Sequence, residues 1–129
     1  MTRFTFHCKH AACGKGRSFT GFEVSGHTGG APAGEDLVCA AISKATELVC
    51  NTITDVYGVD ADIVVENEAA RLLLKLPEDF SAKGTSDGHG YEFINQYAVN
   101  GLLDGFYRWA TALAEESEGC VRVLLDENK

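Results

Sequence analysis

The stretch Ser25-Gly26-His27-Thr28-Gly29-Gly30-Ala31-Pro32-Ala33-Gly34-Glu35-Asp36-Leu37-Val38-Cys39-Ala40-Ala41-Ile42-Ser43 joins two kinds of periodicity. Before it, Arg17 to Ser25 reads as a strand, with Gly21 marking a bulge or a close backbone approach. After it, Leu37, Ala41, Ala45, Leu48, Val49, Ile53 and Val56 recur at helical spacing, which predicts a helix from Asp36 to Tyr57 with these residues on its buried face. Asp36 reads as the N-cap and Gly58 as the stop. Between strand and helix lies a run of Gly, Ala and Pro that cannot build a core. A glycine-rich connection of this kind either simply links two elements or closes over a ligand. It lacks the lysine and hydroxyl that end a phosphate-binding loop.

The two ends of this stretch carry the chemistry. His27 stands at the end of the strand, and Cys39 is placed in the first turn of the helix. If the loop folds back, imidazole and thiol meet, as a cysteine nucleophile and its base require. The helix N-terminus would favour thiolate and supply N–H donors for an oxyanion. Asp36 opposes thiolate formation, so its expected role is capping or orienting His27. Ser43, one turn beyond Cys39, lies on the same face. Residue chemistry alone leaves Cys39 open between a core thiol and a nucleophile.

Working outward, Thr2 to Phe6 alternates as a strand and pairs with Arg17 to Ser25 in a hairpin. The segment His7 to Gly16 is expected as its long tip. That tip gathers His7, Cys8, His10 and Cys13, but their crowding does not match the separated pairs of a zinc site, so no metal is expected. Val59 to Val65 and Ala69 to Leu76 form a second hairpin around Glu66-Asn67-Glu68. The turn-rich Pro77 to Gly90 follows, with His89 expected at the surface. Tyr91 to Glu116 is a second helix, with Phe93, Ile94, Tyr97, Ala98, Leu102, Phe106, Trp109 and Leu113 on its apolar side. Gly119 ends it, and Val121 to Leu125 is a last strand. The order β-β-α-β-β-α-β predicts an α+β, two-layer fold: a mixed sheet with two helices packed on one face. The other face must be polar or covered by another chain.

The chain has 129 residues and 45% hydrophobic content, which fits a single domain over 1–129. There is no signal-like N-terminus and no apolar run near the length of a membrane span, so a cytoplasmic location without membrane contact is expected. Five cysteines, an odd number at irregular spacing, do not read as a disulfide framework. Cys50, deep in the first helix, reads as a small buried hydrophobe. A formal net charge of -8 argues against direct nucleic-acid binding.

Gly26-His27, the small-residue loop, and Gly34-Glu35-Asp36-Leu37-Val38-Cys39-Ala40-Ala41-Ile42-Ser43 together resemble the signature of the ribosomal-processing cysteine protease Prp family. The resemblance extends over nearly the whole chain. It implies a homodimeric cysteine endopeptidase with Cys39 as nucleophile and His27 as base, needing no cofactor. Gly26, Asp36 and Ser43 match supporting positions, and Thr28, Gly29, Gly30 and Gly34 fall in a loop that covers the substrate. The implied partner is the N-terminal segment of a large-subunit ribosomal protein, the twenty-seventh by its usual number. It is cut after Phe-Phe and before Ala. The Cys/His-rich hairpin tip departs from that pattern. The competing expectation is a non-enzymatic, ribosome-associated binding module.

Overall fold

The computed structural model describes residues 1–10, 17–26, 33–66, 70–78, 90–117 and 119–127, with backbone alone for residues 10, 33–36 and 90–94. Its elements are β1 (Thr2–His10), β2 (Arg17–Ser25), α1 (Ala33–Asn51), a π-helical turn at Thr52–Val56, β3 (Asp62–Glu66), β4 (Arg71–Lys75), α2 (Gly90–Glu116) and β5 (Val121–Glu127). The strands form one sheet in the order β3-β4-β2-β1-β5. β1 and β5 run parallel, and the other neighbours are antiparallel. The expected α+β fold, a mixed sheet under two helices, is therefore present.

The first hairpin is longer than its alternation suggested. β1 continues through His7 and Cys8 to His10, so these residues belong to a strand and not to the tip. Successive strand residues face opposite ways. Cys8 is buried in the core, while His7 Nδ1 lies 2.9 Å from Asp126 Oδ2 on the open face. The Cys/His cluster is thereby split, and Cys13 lies outside the described residues.

Gly21 proves to be both bulge and close approach. His7 pairs with Gly21 but Cys8 pairs with Phe19, leaving Thr20 as the extra residue. A bulge shifts the alternation by one. Phe19 and Phe22, three apart, can then both face the core. A Cβ on Gly21 would stand 2.3 Å from the Leu74 carbonyl oxygen of β4, so no other residue fits.

The core is built on aromatic rings. Phe6 packs against Phe4, Phe19, Phe22, Phe106 and Tyr107, with centroids 5.3 to 6.2 Å apart. Phe106 brings α2 into this cluster from the same face, edge-on to Phe4, Phe6 and Phe22. Such pairs add about 0.5 to 1.5 kcal/mol each beyond area burial. Asn100 of α2 fastens the start of β2, which extends past the end of β4. Its Oδ1 accepts from the Phe19 N–H at 2.8 Å, and its Nδ2 donates to the Arg17 carbonyl at 2.9 Å. The amide thus replaces a neighbouring strand.

The buried faces of both helices differ from those the apolar pattern suggested. In α1 the inward residues are Cys39, Ile42, Thr46, Val49 and Cys50, continued by Ile53. Leu37 is 75% exposed and Leu48 is 65% exposed, and Val56 also faces out. In α2 the buried residues are Val99, Leu103, Phe106 and Ala110, whereas Tyr97 and Trp109 are exposed. Each helix carries apolar residues on more than one side, so spacing alone could not choose between faces. Phe93 and Ile94 have no described side chains.

The first helix ends as Gly58 required, though after a widened turn. The Tyr57 N–H donates to the Thr52 carbonyl at 3.1 Å, and the Val59 N–H to the Ile53 carbonyl at 3.0 Å. Gly58, at φ +63°, supplies the left-handed residue this closure needs. Gly119, at φ +80°, turns the chain after α2 into β5. The second hairpin strands are Asp62–Glu66 and Arg71–Lys75, shorter than expected, and residues 67–69 of its turn lie outside the described residues.

The expectation that no apolar run reaches membrane-span length needs correction. Leu37–Val56 is 20 residues long with a mean hydropathy of 1.2, enough by length and composition. Its apolar character has another cause here: one side packs on the sheet through Ile42, Val49 and Ile53, while Lys44 and Glu47 face solvent.

Candidate active site

Helix α1 begins at Ala33, which corrects three expectations. Gly34 belongs to the helix and not to the covering loop. Asp36 lies inside the first turn and is not the N-cap. Cys39 sits in the second turn, so its own N–H is within the helical ladder. The unpaired donors and partial charge of a helix end are concentrated in the first turn. The helix start therefore offers Cys39 less activation than sequence spacing implied.

Cys39 is 9% exposed, on the inward side of α1. One turn further, Ile42 and Ser43 line a groove of about 580 Å³ between α1 and the β3–β4 hairpin. Val24, near the C-terminal end of β2, lines the same groove. The strand that leads to His27 and the turns of α1 that follow Cys39 therefore border one groove. His27, Thr28, Gly29 and Gly30 lie outside the described residues, as do His89 and the side chain of Asp36.

Gly26 has a structural role that its place in a motif did not reveal. Its φ is +86°, and a Cβ there would stand 2.4 Å from the Met1 carbonyl oxygen. The Thr2 N–H next along donates to the Cys120 carbonyl at 2.9 Å. The ends of β2 and the starts of β1 and β5 are thus locked together just before His27.

The groove has apolar walls, among them Ile42, Ile63, Val65 and Leu72, and a charged rim. Arg71 on that rim is engaged by the carboxylates of Glu23 and Glu66. Cys50 also lines it. Burial pushes the Cys50 thiol up to about 11, so it is no nucleophile near neutral pH. Its raised value also has a stability consequence. Below the ordinary thiol range both folded and unfolded states keep the proton. Above about pH 9 the unfolded chain ionises while the folded one does not, so stability falls until the pH passes about 11. The loss expected from this group is about 2 to 3 kcal/mol. Denaturant titrations at pH 8 and 11 should show a smaller decrease for Cys50→Val than for the unmodified chain.

Fold and site define an α+β domain with a buried helical thiol beside a groove. The family model described as cysteine protease Prp matches residues 1–118. The chain belongs to the cysteine protease Prp family, and is a cysteine-type peptidase. Solved structures share the fold at low identity. SMU.848 from Streptococcus mutans is 20% identical with a TM-score of 0.74, covering 99% of this chain and 96% of that one. The essential ribosomal processing protease Prp from S. aureus, solved with a substrate peptide, is 15% identical with a TM-score of 0.68. That match covers 95% of this chain and 99% of the other. The same protease with a covalently linked product peptide gives a TM-score of 0.65 at 15% identity, with the same coverage. No curated protein sequence matches significantly.

Proposed function

We propose that this peptidase removes the N-terminal extension of a large-subunit ribosomal protein, the twenty-seventh by its usual number, cutting after Phe-Phe and before Ala. The observation that carries this reading is the position of Cys39. It is a buried thiol on α1, one turn before the residues that line the groove, in a chain of the cysteine protease Prp family. In this reading His27 takes the Cys39 proton, and the thiolate sulfur attacks the scissile carbonyl carbon. The carbon–nitrogen bond breaks, and the proton leaves with the new N-terminus. Water then releases the acyl group from sulfur. Asp36 orients His27, and Ser43 supports the pair. The loop through Thr28, Gly29 and Gly30 covers the substrate. The S. aureus relative was solved with a substrate peptide, which supports a peptide partner.

The test is incubation of the purified chain with the unprocessed ribosomal protein, read by intact mass. A mass loss equal to the extension through Phe-Phe is expected. An unchanged mass would overturn the reading.

The chain would work as a cytoplasmic homodimer of one-domain subunits. Cys8, Cys39 and Cys50 are all thiols, which suits a reducing compartment. Leu37 and Leu48, exposed and three turns apart on α1, form the apolar side that a second copy would cover. Sedimentation should give a dimer that Leu48→Asp converts to monomer; a monomeric unmodified chain would refute the pairing. Nucleic acid has no part in this function: the net charge is -8, and Arg71 is already engaged by two carboxylates.

A further inference from the structure

Threonines in the helical segments of this chain normally return their hydroxyls to the backbone. Thr52 donates to the Leu48 carbonyl at 2.7 Å, Thr54 to Cys50 at 3.0 Å and Thr111 to Tyr107 at 2.8 Å. Thr46 does not. It is 5% exposed, and its Oγ1 has no hydrogen-bond partner among the described residues. A buried hydroxyl without a partner is destabilising, and a valine of the same shape would avoid the cost. Thr46 also lines the groove. A rotation of about 120° about χ1 carries the hydroxyl into the place of the methyl or of the hydrogen on Cβ, so the hydroxyl can turn towards whatever occupies that space.

Thr46 and Cys39 are seven residues apart. At 3.6 residues per turn they are about 20° from lying in line, and about 10 Å apart along the helix. An extended peptide advances about 3.3 Å per residue. A chain with its scissile carbonyl at Cys39 would therefore pass Thr46 about three residues away. The walls it would meet there, Ile42, Ile63, Val65 and Leu72, are apolar. Among the described residues that line the groove, the buried polar side-chain atom without a partner is the Thr46 hydroxyl oxygen.

We propose that Thr46 is a substrate-positioning residue, whose hydroxyl hydrogen-bonds the main chain of an extended peptide about three residues from the cleaved bond. This rests on the peptidase reading above. A hydroxyl can donate or accept, so it can meet either an amide N–H or a carbonyl. Apolar side chains would be preferred at the same position, because the surrounding walls cannot satisfy a charge.

The experiment compares Thr46→Val and Thr46→Ser with the unmodified enzyme on a ten-residue peptide containing Phe-Phe-Ala. Thr46→Val is expected to lower kcat/KM about tenfold, the equivalent of one net hydrogen bond. Thr46→Ser should stay within about threefold. The Tm of free Thr46→Val should be equal or higher, which separates lost recognition from lost folding. Shortening the peptide to two residues before the cut should remove the difference between Thr46→Val and the unmodified enzyme. An unchanged kcat/KM for Thr46→Val overturns the proposal, as does a lowered Tm that accounts for the loss. If a second copy of the chain fills the groove instead, Thr46→Val would shift the dimer equilibrium and spare kcat/KM, which also overturns it. Failure of the unmodified enzyme to cut any peptide would bring down the peptidase reading itself, and this inference with it.

Discussion

Cys39→Ala is expected to reduce cleavage of the ribosomal extension by at least about a thousandfold, because in the proposed reaction its sulfur is the attacking atom. Cys50 cannot stand in: it lines the groove but keeps its proton up to about pH 11. The change removes one sulfur from a buried position on α1, so the fold should lose about 1 kcal/mol, as small core deletions do. A thermal melt within a few degrees of the unmodified chain, beside lost cleavage, would assign the loss to chemistry. Cleavage at full rate by Cys39→Ala would rule out this thiol as nucleophile. The variant should also serve for measuring peptide binding, because under the proposed reaction it would hold substrate without cutting it.

Gly26→Ala is expected to have the second largest effect, and by a different route. The residue sits at φ +86°, and its new methyl would be driven to 2.4 Å from the Met1 carbonyl oxygen. The obstacle is backbone, held by the Thr2–Cys120 hydrogen bond, and cannot swing aside as a side chain could. The cost should be at least about 2 kcal/mol, a fall in Tm of about 6 °C or more for a chain of this size. Because His27 follows directly, cleavage should fall by more than the lost stability explains. Gly101→Ala is the control: it lies in α2, and a Cβ there meets nothing within 4 Å. Removing a helical glycine should stabilise by about 0.5 to 1 kcal/mol. Equal stability and activity of the two variants would refute the role given to Gly26.

The contrast between these glycines shows where sequence reading stops. Gly21, Gly58 and Gly119 were recognisable as backbone devices, because each interrupts or ends a periodic run. Gly26 looked like a motif letter, since the carbonyl that excludes a side chain comes from Met1, at the far end of the hairpin. Thr46 carried no signal at all. A threonine in a helix is ordinary until its partners are known, and the absence of one is visible only in the packed structure. The same holds for Asn100, whose amide completes β2 from a helix more than eighty residues away.

The helix faces teach a related point. Cys39, Ile42, Thr46, Val49 and Ile53 follow a regular helical spacing, yet so do Leu37, Ala41 and Leu48. Periodicity identified α1 and its length to within a few residues, but could not say which stripe meets the sheet. That choice depends on where β2 and β4 lie. It decides whether Cys39 is a surface thiol or a buried one beside a groove.

The amino-acid sequence by itself determined the order of strands and helices, the α+β layering and the segment where histidine and cysteine could meet. These follow from short-range periodicity, glycine placement and a local motif, all of which act within a few residues. Only the tertiary structure decided that the helix starts early enough to carry Cys39 past its charged end. It also decided that Thr46 is left without a partner, and that Gly26 is pinned against Met1. Each of these is set by contacts between residues distant in the chain, and such contacts exist only once the sheet has closed.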